Sequence, residues 1–273
     1  MSYIQTKDGV DLYYKDWGEG RPIVLIHGWP LDADIWDFQA NALADRGFRV
    51  VSYDRRGFGR SSQPGTGYNY DTLADDLAQL MEKLELRDAV LVGFSMGGGE
   101  VARYLSRHGA DRVGKAVLVS AVTPYLLKDD SNPDGVDPSV FDDFVAQLEK
   151  DRPNFLATFG KQFYGAGFLS FTVSSDYLAW TQSVAMLASL RGTIACVRAF
   201  SATDFRPDMA SFTVPTLVIH GSADQTVPFE ASGEKAARLI PNAQLTIYEG
   251  APHGLHYTDQ DRLTEDLATF ARA

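Results

Sequence analysis

Short runs of aliphatic residues recur along the chain and alternate with longer segments of helical periodicity. Consecutive positions in these runs are mostly apolar, which is typical of strands covered on both faces in a parallel sheet. The runs occupy residues 23–26, 50–53, 89–93, 116–119, 216–219 and 245–248. Residues 3–5 and 11–15 differ, and we interpret them as an antiparallel hairpin at the edge of the sheet.

The segments between the runs predict amphipathic helices. Between Leu73 and Leu84, apolar residues recur at positions 73, 77, 80, 81 and 84, close to the helical period of about 3.6 residues. Residues 259–272 repeat this pattern with Leu263, Leu267 and Phe270. Strands that alternate with helices indicate an α/β class fold with a doubly wound, mostly parallel sheet flanked by helices.

Residues 121–213 interrupt this alternation. Strand-like runs stop there, and helical patterns with several prolines and many aromatic residues replace them. A polar loop at 128–138 leads into the segment. We therefore expect one domain, with a core at 1–120 and 214–273 and a helical cap inserted at about 121–213.

Composition narrows the class of protein. The chain has 273 residues, of which 45% are hydrophobic, so it can bury a sizeable core. Its formal net charge of −11 argues against general binding to nucleic acid or anionic membranes. The one cysteine, Cys196, cannot form an internal disulfide, and we expect a buried, inert thiol.

The beginning of the chain has no apolar signal-peptide core, and no apolar run approaches the length of a membrane-spanning helix. We therefore expect a soluble cytoplasmic protein. The five histidines are scattered, and neither they nor the cysteine show a zinc-ligand spacing. No metal site is expected.

Residues 93–97, Gly-Phe-Ser-Met-Gly, form the sharpest chemical motif. A Gly-x-Ser-x-Gly segment between a strand and a helix is typical of a nucleophile elbow, in which a strained turn exposes the serine hydroxyl. Side chains at Gly93 or Gly97 would collide with the neighbouring strand and helix. Ser95 is therefore the candidate nucleophile.

A serine nucleophile needs a base, which in this fold follows it in the chain. His27 precedes the serine and is more consistent with shaping its own loop, while His108 lies at a helix end and His220 ends a strand. His253 lies on a loop just after the strand 244–248 and is favoured as the base. His256 remains the alternative, nearer the start of the last helix.

The orienting acid is expected after the strand 216–220. Asp224 follows that strand by a few residues and precedes His253 by 253 − 224 = 29 positions, enough for one helix and one strand. Alone it would be interpreted as a turn-forming aspartate. Together with Ser95 and His253 it completes a predicted triad.

Acyl transfer also requires an oxyanion hole. The backbone N–H of Met96, the residue after the nucleophile, is one expected donor. The loop 26–30 supplies the other, for which Trp29 is the candidate. Pro30 has no N–H and biases Trp29 toward an extended backbone.

Four motifs together resemble one known group. They are His-Gly-Trp-Pro at 27–30, Asp-Arg-Arg-Gly-Phe-Gly-Arg-Ser at 54–61, Gly-Phe-Ser-Met-Gly-Gly-Gly at 93–99 and Ala-Pro-His-Gly at 251–254. The chain resembles the bacterial aryl esterases, also called cofactor-free haloperoxidases or perhydrolases, of the α/β-hydrolase superfamily. The (−)-γ-lactamases are close relatives. The resemblance runs along almost the whole chain, including the cap segment 203–209.

The resemblance implies an eight-stranded α/β-hydrolase fold, the triad Ser95–Asp224–His253 and the oxyanion donors Trp29 and Met96. It also implies a small acyl pocket beneath the cap. The walls carried over to this chain are Trp29, Pro30, Val122, Phe144 and Phe159, each of which could equally be ordinary core. A homo-oligomer, a trimer or a dimer of trimers, is implied as well.

Members of this group hydrolyse small esters through an acyl-enzyme. With hydrogen peroxide and a short carboxylic acid they form peracids that oxidise halide in solution, without a metal, haem or other cofactor. Small cyclic amides, as in γ-lactamases, are the alternative substrates of the same triad. A non-catalytic ligand-binding protein on the hydrolase scaffold is the alternative from another class. Dehalogenases and epoxide hydrolases need an aspartate nucleophile, which Ser95 replaces.

Two further hypotheses concern the loops around the site. Pro30 could shift the Trp29 carbonyl so that this carbonyl accepts a hydrogen bond from peroxide. Arg55 and Arg56 look like a functional pair, but we interpret them as structural residues that pair with nearby carboxylates.

Overall fold

The computed structural model describes residues 2–167 and 173–273, and its centre is a single twisted sheet of eight strands. The order across the sheet is β1-β2-β4-β3-β5-β6-β7-β8. The strands are β1 (Ser2–Gln5), β2 (Asp11–Trp17), β3 (Arg21–Ile26), β4 (Phe48–Tyr53), β5 (Ala89–Phe94), β6 (Val113–Val119), β7 (Thr216–Gly221) and β8 (Gln244–Tyr248). The predicted α/β-hydrolase architecture is confirmed.

Strand direction divides the sheet into two parts. β1 and β2 form the predicted antiparallel hairpin, in which Ser2 pairs with Tyr14, and β2 runs antiparallel to β4. The strands from β4 through β3 to β8 are parallel to one another. Their carboxyl ends therefore share one edge, where the loops after β3, β5, β7 and β8 meet.

Helices flank the sheet and follow the apolar periodicity of the sequence. They are α1 (Asp37–Ala44), α2 (Tyr70–Lys83), α3 (Met96–His108), α4 (Pro138–Phe163), α5 (Ser175–Leu187), α6 (Leu190–Ala202), α7 (Gly233–Leu239), α8 (Leu255–Thr258) and α9 (Gln260–Arg272). α2 starts three residues before the periodic pattern because the Asn69 side chain caps it, accepting the N–H of Thr72 at 3.0 Å.

Within the described part of the segment interpreted as a cap, the α-helices between β6 and β7 are α4, α5 and α6. α4 is bent at Asp151, whose backbone leaves the helical region, two residues before Pro153. The bend brings Phe144 and Phe159 from its two halves to a ring-centroid distance of 5.6 Å. The domain boundaries at 120 and 214 stay a prediction.

Of the helices described, none is by itself both long and apolar enough to cross a membrane. α5 and α6 meet that test only when taken together, by length and composition, and they are bent by 97° where they join.

Two arginines in the loop after β4 are buried, and each forms ion pairs with carboxylates. Arg55 pairs with Glu100 on α3, and both side chains are almost completely buried. Arg56 donates to Asp76 on α2 at 2.6 Å and to Asp8 at 2.9 Å. The predicted pairing with nearby carboxylates is confirmed. Cys196 is also fully buried, and burial raises the pKa of its thiol to about 12.

Candidate active site

Ser95 lies at the junction of β5 and α3. Its φ of 54° and ψ of −117° place a non-glycine residue in a backbone region that L-amino acids rarely adopt. The turn is tight because Gly93 has no side chain: a Cβ there would lie 2.5 Å from the carbonyl oxygen of Gly97. The local sequence therefore forces the Ser95 hydroxyl out of the sheet edge.

The structure brings Ser95, His253 and Asp224 together from three different loops. Nε2 of His253 lies 2.9 Å from Oγ of Ser95, and Nδ1 of His253 lies 2.6 Å from Oδ2 of Asp224. Asp224 follows β7 and His253 follows β8, as the sequence pattern predicts. These contacts form one hydrogen-bonded path from the carboxylate to the serine hydroxyl.

Asp224 is held by hydrogen bonds on both carboxylate oxygens. Oδ1 accepts the backbone N–H groups of Thr226 and Val227 at 2.9 and 2.8 Å. Burial tends to raise the pKa of Asp224, but the proximity of His253 and the hydrogen bonds from His220 and His253 outweigh it and leave this pKa well below its usual range. The group is therefore a carboxylate at neutral pH.

His220 is a neighbour of the triad that the sequence pattern did not reveal. Its Nε2 lies 2.9 Å from the Val227 carbonyl and 3.3 Å from Oδ2 of Asp224. It is the second-to-last residue of β7, four positions before Asp224, and this spacing is the only sequence signal for the contact.

His256 is buried close to the triad but makes none of its contacts. It lies on α8, with its ring centroid 4.8 Å from that of Phe94 and 6.1 Å from that of Trp36. Its Nδ1 has no hydrogen-bond partner within the part of the chain that the structure describes. Burial, helped by His253, lowers the pKa of His256 to about 3, so the ring is neutral.

Two backbone N–H groups beside Ser95 have no protein acceptor among residues 2–167 and 173–273. They belong to Trp29, after β3, and Met96, the first residue of α3. Gly28 allows the loop after β3 to lie close to the Ser95 turn, since a Cβ at position 28 would lie 3.0 Å from Cβ of Ser95. Both expected oxyanion donors are thus available next to the serine.

A cavity of about 330 Å³ opens onto Ser95 between the sheet edge and the cap. Of the predicted wall residues, Trp29, Val122, Phe144 and Phe159 line it. Pro30 does not, and this prediction is wrong: Pro30 lines a separate small cavity with Leu31 and Leu156. The chain turns between Gly28 and Leu31, where Leu31 donates to the Gly28 carbonyl at 3.1 Å, so adjacent residues face opposite sides.

Sequence analysis missed much of the cavity wall. The further lining residues are Leu126, Val136, Val140, Phe141, Gln162, Phe200, Gln225, Thr226, Val227 and Pro228. They come from the segment after β6, from α4 and α6, and from the loop after Asp224. None of the lining residues that the structure describes is charged, so the cavity suits an uncharged ligand.

Groups of three or more His, Cys, Asp or Glu side chains that could hold a metal ion do not occur in the described ranges.

Comparison with known proteins places the chain in a family. The alpha/beta hydrolase fold family matches residues 21–260. Non-heme chloroperoxidase CPO-A1 of Kitasatospora aureofaciens is 45% identical over 272 residues, which cover 99% of each chain. The bifunctional esterase/perhydrolase DCH of Acinetobacter calcoaceticus is 45% identical over 278 residues, which cover 100% of each chain.

A solved structure of a similarly named protein also matches the chain. The crystal structure of bromoperoxidase from Bacillus anthracis matches with a TM-score of 0.96 and 46% sequence identity, and the match covers 100% of both chains. The resemblance to the haloperoxidase and perhydrolase group is confirmed, and the chain belongs to the alpha/beta hydrolase fold family.

Proposed function

We propose that this protein is a serine esterase that acts on small uncharged esters through an acyl-enzyme and also has perhydrolase activity. Ser95 is the nucleophile, His253 the general base and Asp224 the carboxylate that orients it. The observation that carries this proposal is the hydrogen-bonded path from Asp224 through His253 to Ser95, which ends at an apolar cavity.

Acylation begins when Oγ of Ser95 attacks the ester carbonyl carbon. Nε2 of His253 takes the hydroxyl proton, and the Asp224 carboxylate stabilises the resulting imidazolium through Nδ1–H. The carbonyl oxygen becomes an oxyanion, which accepts hydrogen bonds from the N–H groups of Trp29 and Met96. These donors already lack protein acceptors, so no bond must break before they bind it.

Collapse of this intermediate breaks the bond to the alcohol oxygen, which leaves with the proton from His253. The acyl group remains on Ser95. Water then adds to the acyl carbon with His253 again as base, and the carboxylic acid is released. When hydrogen peroxide adds instead, the same bonds form and break and the product is a peracid.

The cavity wall restricts the substrate. Aromatic and aliphatic side chains surround Ser95, and the polar side chains on the wall are neutral amides and hydroxyls. A charged acyl or alcohol group would lose its hydration there without an ionic partner. We therefore infer uncharged esters as the substrate class.

The peroxide reaction is supported by the relative named as a bifunctional esterase/perhydrolase, 45% identical to this chain. Pro30, next to the Trp29 carbonyl, remains the residue proposed to influence the choice between peroxide and water. An unchanged ratio of perhydrolysis to hydrolysis in Pro30→Leu would contradict that role.

The test is hydrolysis of p-nitrophenyl acetate by the wild type and by Ser95→Ala, combined with the mass of the wild type after treatment with phenylmethylsulfonyl fluoride. We expect activity and a single adduct on Ser95 in the wild type, and loss of both in the variant. An active Ser95→Ala, or a wild type with neither activity nor adduct, would overturn the proposal. Parallel assays with a bicyclic γ-lactam measure the amidase alternative.

The homo-oligomer and the cytoplasmic location stay predictions. Light scattering coupled to size-exclusion chromatography tests the first, because a trimer and a dimer of trimers differ twofold in mass.

A further inference from the structure

The loop after β3 contains a buried histidine that the triad does not use. The His27 side chain is fully buried. Its Nε2 lies 3.0 Å from the backbone nitrogen of Arg55, and its Nδ1 lies 2.9 Å from the carbonyl oxygen of Gly28. Nδ1 also lies 3.3 Å from Nη1 of the Arg55 guanidinium. Both ring nitrogens therefore have fixed polar neighbours.

The contact at Nε2 determines where the proton is, since a neutral imidazole has one N–H and the longer approach of the Arg55 guanidinium to Nδ1 is then not a hydrogen bond. A backbone N–H only donates, so Nε2 of His27 must accept from Arg55 and carry no hydrogen. The hydrogen is then on Nδ1 and is donated to the Gly28 carbonyl. Burial and the nearby Arg55 guanidinium lower the pKa of His27 well below its usual value, so the ring stays neutral.

The Gly28 carbonyl and the Trp29 N–H belong to the same peptide group. Since that group is planar and trans, its C=O and N–H point in opposite directions. The carbonyl accepts from Nδ1 of His27 at 2.9 Å and from the backbone N–H of Leu31 at 3.1 Å. Two donors on the carbonyl fix the plane, and with it the direction of the unpaired Trp29 N–H.

We propose that His27 is a positioning residue for the oxyanion hole: by donating to the Gly28 carbonyl it aims the Trp29 N–H at the position of the oxyanion and strengthens it as a donor. The strengthening follows because a hydrogen bond accepted by a peptide carbonyl polarises the N–H of the same group. This inference rests on the proposed function, in which the Trp29 N–H binds the oxyanion.

The Arg55 side chain connects this loop to the nucleophile helix. It donates through Nη2 to the His27 carbonyl at 2.6 Å and pairs with Glu100 on α3. Glu100 also accepts the Tyr53 hydroxyl at 2.6 Å. α3 begins at Met96. The buried Arg55 guanidinium therefore contacts both the loop that contains the Trp29 N–H and the helix that begins with the Met96 N–H.

Two substitutions of His27 each remove one of its two hydrogen bonds and can keep the other. In His27→Asn, the amide nitrogen is placed near Nδ1 and can still donate to the Gly28 carbonyl, while the Arg55 N–H loses its acceptor. In His27→Gln, the amide oxygen reaches toward Nε2 and can accept from Arg55, while the donor to Gly28 is lost. Each variant loses one buried hydrogen bond, so a merely structural role predicts similar effects.

We expect His27→Gln to lower kcat for p-nitrophenyl acetate by about 10- to 100-fold with little change in KM, since one oxyanion donor is misaimed rather than removed. A phenyl trifluoromethyl ketone, whose adduct with Ser95 carries an oxyanion, should lose affinity by the same factor. His27→Asn should stay within about fivefold of the wild type in both measurements. His108→Asn, at the end of α3, is the matched control and should leave both unchanged.

Equal losses in the two His27 variants, or a lowered kcat with unchanged ketone affinity, would overturn the inference. Activity retained in Ser95→Ala would instead remove the proposed function itself. A measurement on the wild type avoids any folding defect: imidazole ¹⁵N chemical shifts should show His27 as the neutral Nδ1–H tautomer between pH 5 and 9. The Nε2–H tautomer, or an imidazolium, would contradict the proposal.

Discussion

The loop that carries His253 and the short helix α8 that carries His256 present two buried histidines to the same aromatic side chains. The Phe94 ring centroid lies 5.1 Å from that of His253 and 4.8 Å from that of His256. Phe163 also contacts both, at 4.7 and 6.1 Å. Each of the two residues is 1% exposed, so burial does not distinguish them.

The two histidines differ in their polar partners. His253 has a carboxylate on one nitrogen and the Ser95 hydroxyl on the other, whereas His256 faces mainly aromatic rings. His256 has no carboxylate partner, and burial together with the nearby His253 lowers its pKa to about 3. Of the two, His253 therefore has the polar partners that the proposed general base requires.

The largest expected effect comes from removing each histidine in turn. His253→Asn should lower kcat/KM for p-nitrophenyl acetate by about 10⁴-fold or more, since the base is lost. His256→Asn should remain within about fivefold of the wild type, a bound for a residue that makes no contact with reacting atoms. Steady-state kinetics of both variants checks this. Comparable losses of kcat/KM in both variants would make His256 part of the catalytic machinery and would contradict the proposed difference between the two histidines.

The next largest effect comes from removing the charge of the Asp224 carboxylate. Asp224→Asn should lower kcat by about 10³- to 10⁴-fold, because the amide neither stabilises the imidazolium nor holds the required tautomer. Asp142→Asn is the matched control, since the side chain of Asp142 is 65% exposed. If Asp224→Asn kept near-normal kcat at neutral pH, the carboxylate would not explain why His253 and not His256 is the proposed base.

The third effect is on stability. The pKa of His256 is about 3 in the folded protein, against about 6.5 in an unfolded chain. Between these values only the unfolded state takes up the proton, so this contribution is complete above pH 6.5 and decreases as the pH falls. At pH 5 the loss is roughly 2 kcal/mol relative to neutral pH.

Urea unfolding at pH 7 and pH 5 measures this contribution. The wild type should lose roughly 2 kcal/mol more than His256→Asn between the two pH values. His108→Asn controls for the removal of an exposed histidine. An identical pH dependence in the wild type and His256→Asn would show that His256 titrates normally, contrary to its surroundings.

The smallest effect concerns the cavity wall, which should influence substrate choice without altering the triad. Phe144 stacks near Trp29 at a centroid distance of 6.3 Å and lines the cavity. Phe144→Ala should raise the preference for p-nitrophenyl benzoate over the acetate by about tenfold, since the added space fits a larger acyl group. Phe38→Ala, 42% exposed and outside the cavity, is the control. A changed pH profile in Phe144→Ala would mean that the wall also affects the base.

Much of the fold and the elbow could be predicted because their causes are local. Buried parallel strands require runs of apolar residues, and amphipathic helices require a 3.6-residue period, so the sequence displayed both directly. The turn at Ser95 requires small residues at fixed neighbouring positions, such as Gly93. Asp224 and His253 were predicted less directly, from their places after two strands.

Other features depend on distances between remote segments. Ser95 and His253 are 158 positions apart, and only folding could decide that His253, not His256, comes within 2.9 Å of the hydroxyl. The turn at Gly28 likewise decided that Trp29 lines the cavity and Pro30 does not.

The sequence by itself determined the order of strands and helices, the elbow and the set of candidate side chains, because steric and hydrogen-bonding requirements between near neighbours produce these features. Only the tertiary structure decided which histidine contacts Ser95, which residues line the cavity and which polar groups face the His27 ring. The contacts of the histidines depend on which buried polar groups become hydrogen-bond partners across the fold, and the cavity wall depends on which segments pack above Ser95. Neither is set by spacing along the chain.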